Sequence, residues 1–456
     1  MKVKYKFVLI AGVASLLLSM ALKVAGLDPA MSTTAGITLL IAVLWLTEAF
    51  PIAVTALIPF VAFPMAGIID FRQASSALGS HVILLLMGAF MLSKALEKSG
   101  VHHRLAVYML RITGTQSARR LVLGFMLTAA GLSMWISNTA TALMLMPIAL
   151  AIISSMHAPA LASAILLGIA YAASLGGVGT IIGTPPNIIF MSVYQQATGN
   201  EISFLDWMTT GIPIVVLAIP LMALWLTRGL RHMPECELPK VGPWRSAEVR
   251  VLVIFSSVAL AWVFRPYWSG WLGMDAINDS TVAIAGVLLM FLVPDGDKQN
   301  PGQVLDWDTA QQIPWGMLLV FAGGICLANA FSASGLSQVL GQGLEGLSVL
   351  PIVALLLILC LAVSFMTEIT SNTATATLLM PVLASASVAV GVDPIVLMMP
   401  AAISASCAFM MPVATPTNAI VFSSGKISIQ TMAKEGAILN VIVAVVVTAV
   451  MMVTRV

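Results

Sequence analysis

The hexamer Ser-Asn-Thr-Ala-Thr-Ala occurs twice, at 137–142 and at 371–376, each time inside a long apolar stretch. From Ser137 to Pro147, nine of eleven residues equal those from Ser371 to Pro381. Hydroxyl and amide side chains in such a setting can do three things. They cap a helix by accepting from its first N–H groups. They help to hold an anion at that helix end, where unpaired N–H groups and the helix dipole give a partial positive charge. Their oxygens can also ligate a hard cation such as Na⁺. One Ser-Asn-Thr is ordinarily a cap, but a duplicated one, in step with a second duplicated motif, points to ligands.

That second motif is Gly-Thr-Pro-Pro-Asn at 183–187, answered by Ala-Thr-Pro-Thr-Asn at 414–418. Proline inside a span removes a backbone hydrogen bond and crowds the preceding turn. Gly183, Pro185 and Pro186 therefore break one helix, and Pro412 and Pro416 another. Carbonyls freed at membrane depth are tolerated where they line a cavity or find other partners. Neither motif holds Lys or Arg, so a bound anion must be neutralised by helix ends and co-bound cations. The only acid close by is Glu368, which has no acidic counterpart in the first copy and reads as structural. Glu48, near a span end, reads as an anchor. Without symmetric carboxylates, Na⁺ coupling is favoured over H⁺ coupling.

The elements that carry these motifs are transmembrane helices. The 456 residues are 59% hydrophobic and 9% charged, with mean hydropathy +1.02. A soluble protein carries roughly a quarter charged residues. Continuous apolar runs such as "VALLLILCLAV" exclude the alternating pattern of a β-barrel. Runs near the 20 residues that cross a bilayer are expected at 7–25, 34–49, 51–69, 80–100, 160–192, 207–228, 250–266, 281–294, 314–340, 394–424 and 430–453. The basic, then apolar start resembles a signal peptide and is read as the first span. Segments 117–156 and 349–389 carry Ser-Asn-Thr near their middles, and each is either two spans or one re-entrant hairpin. With the N-terminus in the cytoplasm, 17 Lys and Arg fall on the cytoplasmic side and 4 on the other, as the positive-inside rule requires. The C-terminus is then extracytoplasmic. The basic segment 101–120 is expected to lie along the cytoplasmic interface. The four cysteines (Cys236, Cys326, Cys360, Cys407) have no paired spacing, and the histidines have no metal-ligand spacing. No nucleophile–base pair or metal triad suggests an enzyme, and nothing suggests a nucleic acid partner.

The repeat extends beyond the hexamers. "MGAFMLSKALEKSG" (87–100) matches "AGGICLANAFSASG" (322–335) in its Gly, Ala and Ser positions. Both halves run helix, Ser-Asn-Thr segment, broken helix. Spans 80–100 and 314–340 are five crossings apart, an odd number, so the repeats are inverted. Inverted repeats with broken helices at the midplane are the architecture of secondary transporters. The expected division is 1–69 for N-terminal scaffold helices, 80–228 for the first repeat, 250–294 for connecting helices and 314–453 for the second repeat.

The paired Ser-Asn-Thr motifs, "GTPPN" with "ATPTN", and "LTEAFPIAVTALIPF" resemble the divalent anion:sodium symporter family of dicarboxylate and citrate carriers. The likeness covers nearly the whole chain. It implies a homodimer of eleven-span protomers, each with a scaffold domain and a transport domain bearing two re-entrant hairpins, working by an elevator movement. It further implies that Asn138, Thr139, Asn372 and Thr373 bind substrate carboxylates, with Thr415 and Pro416 lining the pocket. One Na⁺ would lie near Ser133, Ser137, Asn138 and Gly183, and its pseudo-symmetric mate near Thr367, Asn372 and Ala414. The implied function is uptake of C4-dicarboxylates (succinate, fumarate, malate) with two or more Na⁺ across the inner membrane. The alternatives are a sodium-independent exchanger, or a citrate or sulfate symporter on the same fold.

Overall fold

A computed structural model describes residues 4–114, 116–156, 158–230, 241–274, 276–343 and 350–456. Cys236, Lys2, Arg231 and Lys240 lie outside the described residues. Those described form helices and connecting turns, with a single isolated β-bridge between Pro294 and Gln303. Among them, nine helices are long and apolar enough to cross a membrane.

Eight of these nine correspond to spans expected from sequence, and the ninth is Asn372–Val390, one arm of the second Ser-Asn-Thr segment. Three expected spans take other forms. Segment 51–69 divides into Ile52–Thr55 and Ile58–Met65, because Pro51 and Pro59 each start a new helix and Gly67, in the left-handed region, stops the second. Segment 281–294 becomes Asp279–Leu292, whose 14 residues reach about 21 Å. Segment 394–424 is interrupted, as its prolines require.

The two halves correspond element by element. His81–Ser99 and Trp315–Ser334 each end at a left-handed glycine, Gly100 (φ 76°) and Gly335 (φ 75°), which turns the chain into a second helix, Val101–Thr113 or Leu336–Gly343. The Ser-Asn-Thr segments follow as helix–turn–helix units: Ala118–Ser133 with Asn138–Met156, and Ile352–Thr367 with Asn372–Val390. Then come the broken helices, Pro159–Gly176 with Pro185–Thr198 and Pro394–Ala405 with Pro416–Phe422. Phe204–Leu226 and Ile429–Thr454 close the halves and pack on each other.

Packing between the halves is reciprocal. The first part of one broken helix lies against the second part of the other, in both combinations. Two broken helices that meet this way run antiparallel, as an inverted repeat demands. This is also the most deeply buried region: Pro159–Gly179 is 94% buried, against 11% for the N-terminal helix Tyr5–Val24. The apolar surface of that outer helix suits lipid or another subunit.

The basic helix Val101–Thr113 is held more tightly than an interfacial segment need be. Arg104 is buried and pairs with buried Glu248 at 3.0 Å. Its guanidinium also donates to the Gly242 and Pro243 carbonyls and lies over the Trp244 ring. The sequence placed this charge on the cytoplasmic side as one of a basic set; in the structure it fastens the helix to the loop before Ser246–Val263. Removing one partner of a buried pair is costly, and Glu248 would then keep only Arg245, whose N–H and guanidinium also bind it. Arg104→Ala is therefore expected to lower the melting temperature of the purified protein. Arg104→Met with Glu248→Leu should recover most of that loss, which thermal denaturation in detergent measures directly.

Candidate functional site

Each Ser-Asn-Thr forms the turn of its helix–turn–helix unit. Ser137 Oγ accepts from the Ala140 N–H at 3.2 Å, and Ser371 Oγ accepts from the Ala374 N–H at 3.1 Å. Both serines thus cap the second helix of the unit. Asn138 with Thr139, and Asn372 with Thr373, fill the first turns of those helices and are half-buried. The broken helices supply the opposite wall. Thr415 caps Pro416–Phe422 through the Asn418 N–H and is buried, whereas Pro416 is exposed. Gly183 and Ala414 are buried within their breaks.

The first repeat gathers a cluster of oxygens. Ser133, at the end of its helix, donates from Oγ to Ala173 O at 2.7 Å. One terminal atom of the Asn138 amide lies 2.5 Å from Ser133 Oγ and 3.2 Å from each of Ala173 O and Gly183 O. With nitrogen at that corner, the amide donates to this ring of acceptors. With oxygen there, two carbonyls, a hydroxyl and an amide oxygen face one another. Four converging oxygens repel unless a cation sits among them, and hard-cation sites are built from such oxygens. The amide can therefore satisfy the cluster when empty and ligate when filled.

The second repeat makes the same arrangement from different residues. Thr367 Oγ1 donates to Asn372 Oδ1 at 2.8 Å and to Ala405 O at 3.0 Å. Thr367 stands for Ser133, and Ala405 O for Ala173 O. Ala414, the counterpart of Gly183, donates its N–H to Met411 O at 3.2 Å. Among the described residues, no hydrogen bond joins Ala414 to Thr367 or Asn372. Ser137 likewise directs its hydroxyl to the cap rather than to Asn138. Thus Ser133, Asn138 and Gly183 come together in one cluster and Thr367 with Asn372 in the other, while Ser137, Ala414 and the substrate-side residues border them.

The glycines of the first break make the close approach possible. A Cβ on Gly183 would lie 2.4 Å from Gly177 O, and one on Gly177 would lie 2.8 Å from Gly183 O and 2.9 Å from Asn138 Oδ1. The second repeat has alanine at the matching positions, Ala408 and Ala414. The two clusters are therefore alike in donor type but set beside different residues at the breaks.

Residues 2–454 match the family described as the sodium:sulfate symporter transmembrane region. The chain belongs to this symporter family. It is 40% identical over 437 residues to the sodium-dependent dicarboxylate transporter SdcS of Staphylococcus saprophyticus, covering 90% of this chain and 83% of that one. The counterpart from Staphylococcus aureus is 40% identical over 434 residues with the same coverage. In fold the chain is similar to the YdaH transporter of Alcanivorax borkumensis (TM-score 0.58, 13% identity, 83% of this chain and 87% of that one). It is also similar to MtrF of Neisseria gonorrhoeae (TM-score 0.55, 12% identity, 83% and 82%). It is accordingly a multi-pass, all-helical membrane protein of a transporter family.

Sequence reasoning passed over several groups that this symporter brings to the site. The Ala173 and Ala405 carbonyls carry no side-chain signal, since any residue supplies the same oxygen. Asn187 and Asn418 were visible only as the last residues of the two Thr-Pro-x-Asn motifs. Glu368 accepts from the Phe409, Met410 and Met411 N–H groups at 2.6–3.0 Å and from Asn440 Nδ2 at 2.8 Å. Four donors and a buried position give it the structural duty expected from sequence. In the register of the Ser-Asn-Thr motifs its counterpart is Met134, whose side chain packs on Gly179. Cys326, Cys360 and Cys407 are free and buried.

A methyl group on Gly183 adds no polar atom and removes none, but must push the Gly177 backbone aside. Overpacking of this kind costs roughly 1–3 kcal/mol. Gly183→Ala is therefore expected to raise the Na⁺ concentration that half-stabilises the purified protein by about tenfold or more. Melting curves in NaCl against choline chloride read this shift.

Proposed function

We propose that this protein takes C4-dicarboxylates such as succinate, fumarate or malate into the cell together with Na⁺. The observation that carries the reading is the pair of hydroxyl–amide–carbonyl clusters, one at each Ser-Asn-Thr turn. Relatives named as sodium-dependent dicarboxylate transporters, 40% identical over most of the chain, support the choice of substrate.

In this reading Ser133, Ser137, Asn138 and Gly183 surround one Na⁺, and Thr367, Asn372 and Ala414 surround the other. Asn138, Thr139, Asn372 and Thr373 face the two carboxylates, and Thr415 with Pro416 completes the pocket. The two capped helix starts supply positive potential to a dianion, and the bound cations complete its neutralisation. The Asn138 amide links the two fluxes. With Na⁺ present, its oxygen turns into the cluster and its NH₂ turns out, where it donates to a carboxylate. Without Na⁺, the two NH₂ hydrogens serve Ser133 Oγ and Gly183 O while Ser133 serves Ala173 O, and the outward oxygen repels the anion. Cation binding thus prepares the anion site by one amide rotation. More than two Na⁺ per dianion makes transport electrogenic.

The proposed setting is the inner (plasma) membrane, N-terminus cytoplasmic and C-terminus outside, with the protein a homodimer. The two Ser-Asn-Thr units act as re-entrant hairpins in a transport domain that moves past a scaffold built from 1–69 and the connecting helices.

Succinate uptake into proteoliposomes tests the function. Replacing Na⁺ by choline is expected to abolish accumulation, and Asn138→Ala or Asn372→Ala should reduce sodium-dependent uptake by about a hundredfold or more. Undiminished sodium-dependent uptake in both variants would remove the site assignment. Rapid succinate counterflow without Na⁺ would make the protein an exchanger instead.

A further inference from the structure

Asn187 and Asn418 end the two Thr-Pro-x-Asn motifs, and both are fully buried. Asn187 Nδ2 donates to Gly177 O at 3.1 Å and Thr180 O at 2.8 Å. Asn418 Nδ2 donates to Ala408 O at 3.0 Å and Met411 O at 3.0 Å. In each repeat the side chain reaches back ten and seven residues, from the helix after the break to the carbonyls that the break sets free. Both amide hydrogens are used in this way, and in both residues Oδ1 has no hydrogen-bond partner. An orphaned buried acceptor is destabilising, and here it recurs at the same place in both halves. The carbonyls cannot do without the donors, since the breaks lie in the most buried part of the fold.

What these asparagines hold is one layer behind the oxygen clusters. Gly177, gripped by Asn187, lies directly against Gly183 and the Asn138 amide. Ala408, gripped by Asn418, precedes the stretch Phe409–Met411 whose N–H groups Glu368 binds, and Met411 O, also gripped by Asn418, accepts from Ala414 as well. A shift of either gripped segment moves the carbonyls that face the cluster. Only a primary amide can make both bonds without a charge. An ionised Asp has no donor, Ser and Thr have one each, and Lys would bring a positive charge.

We propose that Asn187 and Asn418 are positioning residues for cation coupling. They hold the two breaks in the shape that binds Na⁺ without touching the ion's first ligand side chains. The assignment rests on the sodium-coupled reading above. It separates from a purely structural role because a loosened break weakens Na⁺ binding in protein that is still folded, and spares dicarboxylate binding once Na⁺ is saturating.

Asn187→Ala and Asn418→Ala, purified separately, are tested in two ways. Sodium activation of succinate uptake is measured in proteoliposomes, and stabilisation by NaCl over choline chloride is measured in detergent. In each variant the half-activating Na⁺ concentration and the half-stabilising one should both rise by about fivefold or more. The succinate KM at saturating Na⁺ should stay within about twofold. If either alanine variant does not fold, the same measurements are made on Asn187→Leu and Asn418→Leu, which remove the donors without opening a cavity or adding a charge. Unchanged Na⁺ midpoints in folded variants, or a succinate KM that rises as much as the Na⁺ midpoint, would overturn the assignment. Wild-type protein that ignores Na⁺ in both assays would overturn the sodium-coupled reading, and this assignment with it. That outcome is distinguishable because it appears before any substitution is made.

Discussion

Backbone groups freed in an apolar interior must find partners, and the site is organised around that constraint. Two helices break in the most buried region of the protein, each releasing several carbonyls and N–H groups. Leaving them unpaired is costly, so the polar side chains nearby are engaged. Asn187 and Asn418 take carbonyls; Glu368 takes N–H groups; Ser133 and Thr367 take the last carbonyls of the first half-helices. What remains is a small ring of oxygens in each half. In the proposed function a cation is attracted there without an acidic residue, because the helix breaks themselves expose the oxygens.

The same arrangement accounts for the proposed use of two similar sites by one anion. Each Ser-Asn-Thr turn presents a capped helix start on one side and an oxygen cluster on the other, and its asparagine stands between them. In the proposed function, anion and cation are therefore neighbours across a single amide. The halves are not identical: Gly177 and Gly183 approach each other closely in the first break, where the second has Ala408 and Ala414. Glu368 steadies only the second break, and Met134 fills the corresponding place in the first. A pseudo-symmetric frame thus carries two oxygen clusters with different surroundings.

The helices around this centre differ in what they must satisfy. Pro159–Gly176 is buried nearly throughout and consists of small and branched apolar residues that permit close approach. Tyr5–Val24 presents leucines outward and meets mainly its neighbour Pro29–Thr47. At one helix end, Arg104 and Glu248 exchange solvent for each other and fix a helix that amphipathicity alone would leave on a surface.

Much of this was legible in the sequence. Composition determined a helical membrane protein, and the duplicated hexamers, Thr-Pro-x-Asn motifs and helix-ending glycines determined the repeat and the positions of both breaks. These are local signals: proline and glycine act on their own turns, and caps on the next. The sequence could not show that segment 51–69 divides into two short helices, or that Arg104 turns inward, because both depend on what packs alongside. Nor could it point to Ala173 and Ala405, whose contribution is a carbonyl that every residue possesses. Tertiary structure alone decides which carbonyls converge, since convergence is a property of two chain segments about forty residues apart and not of either one.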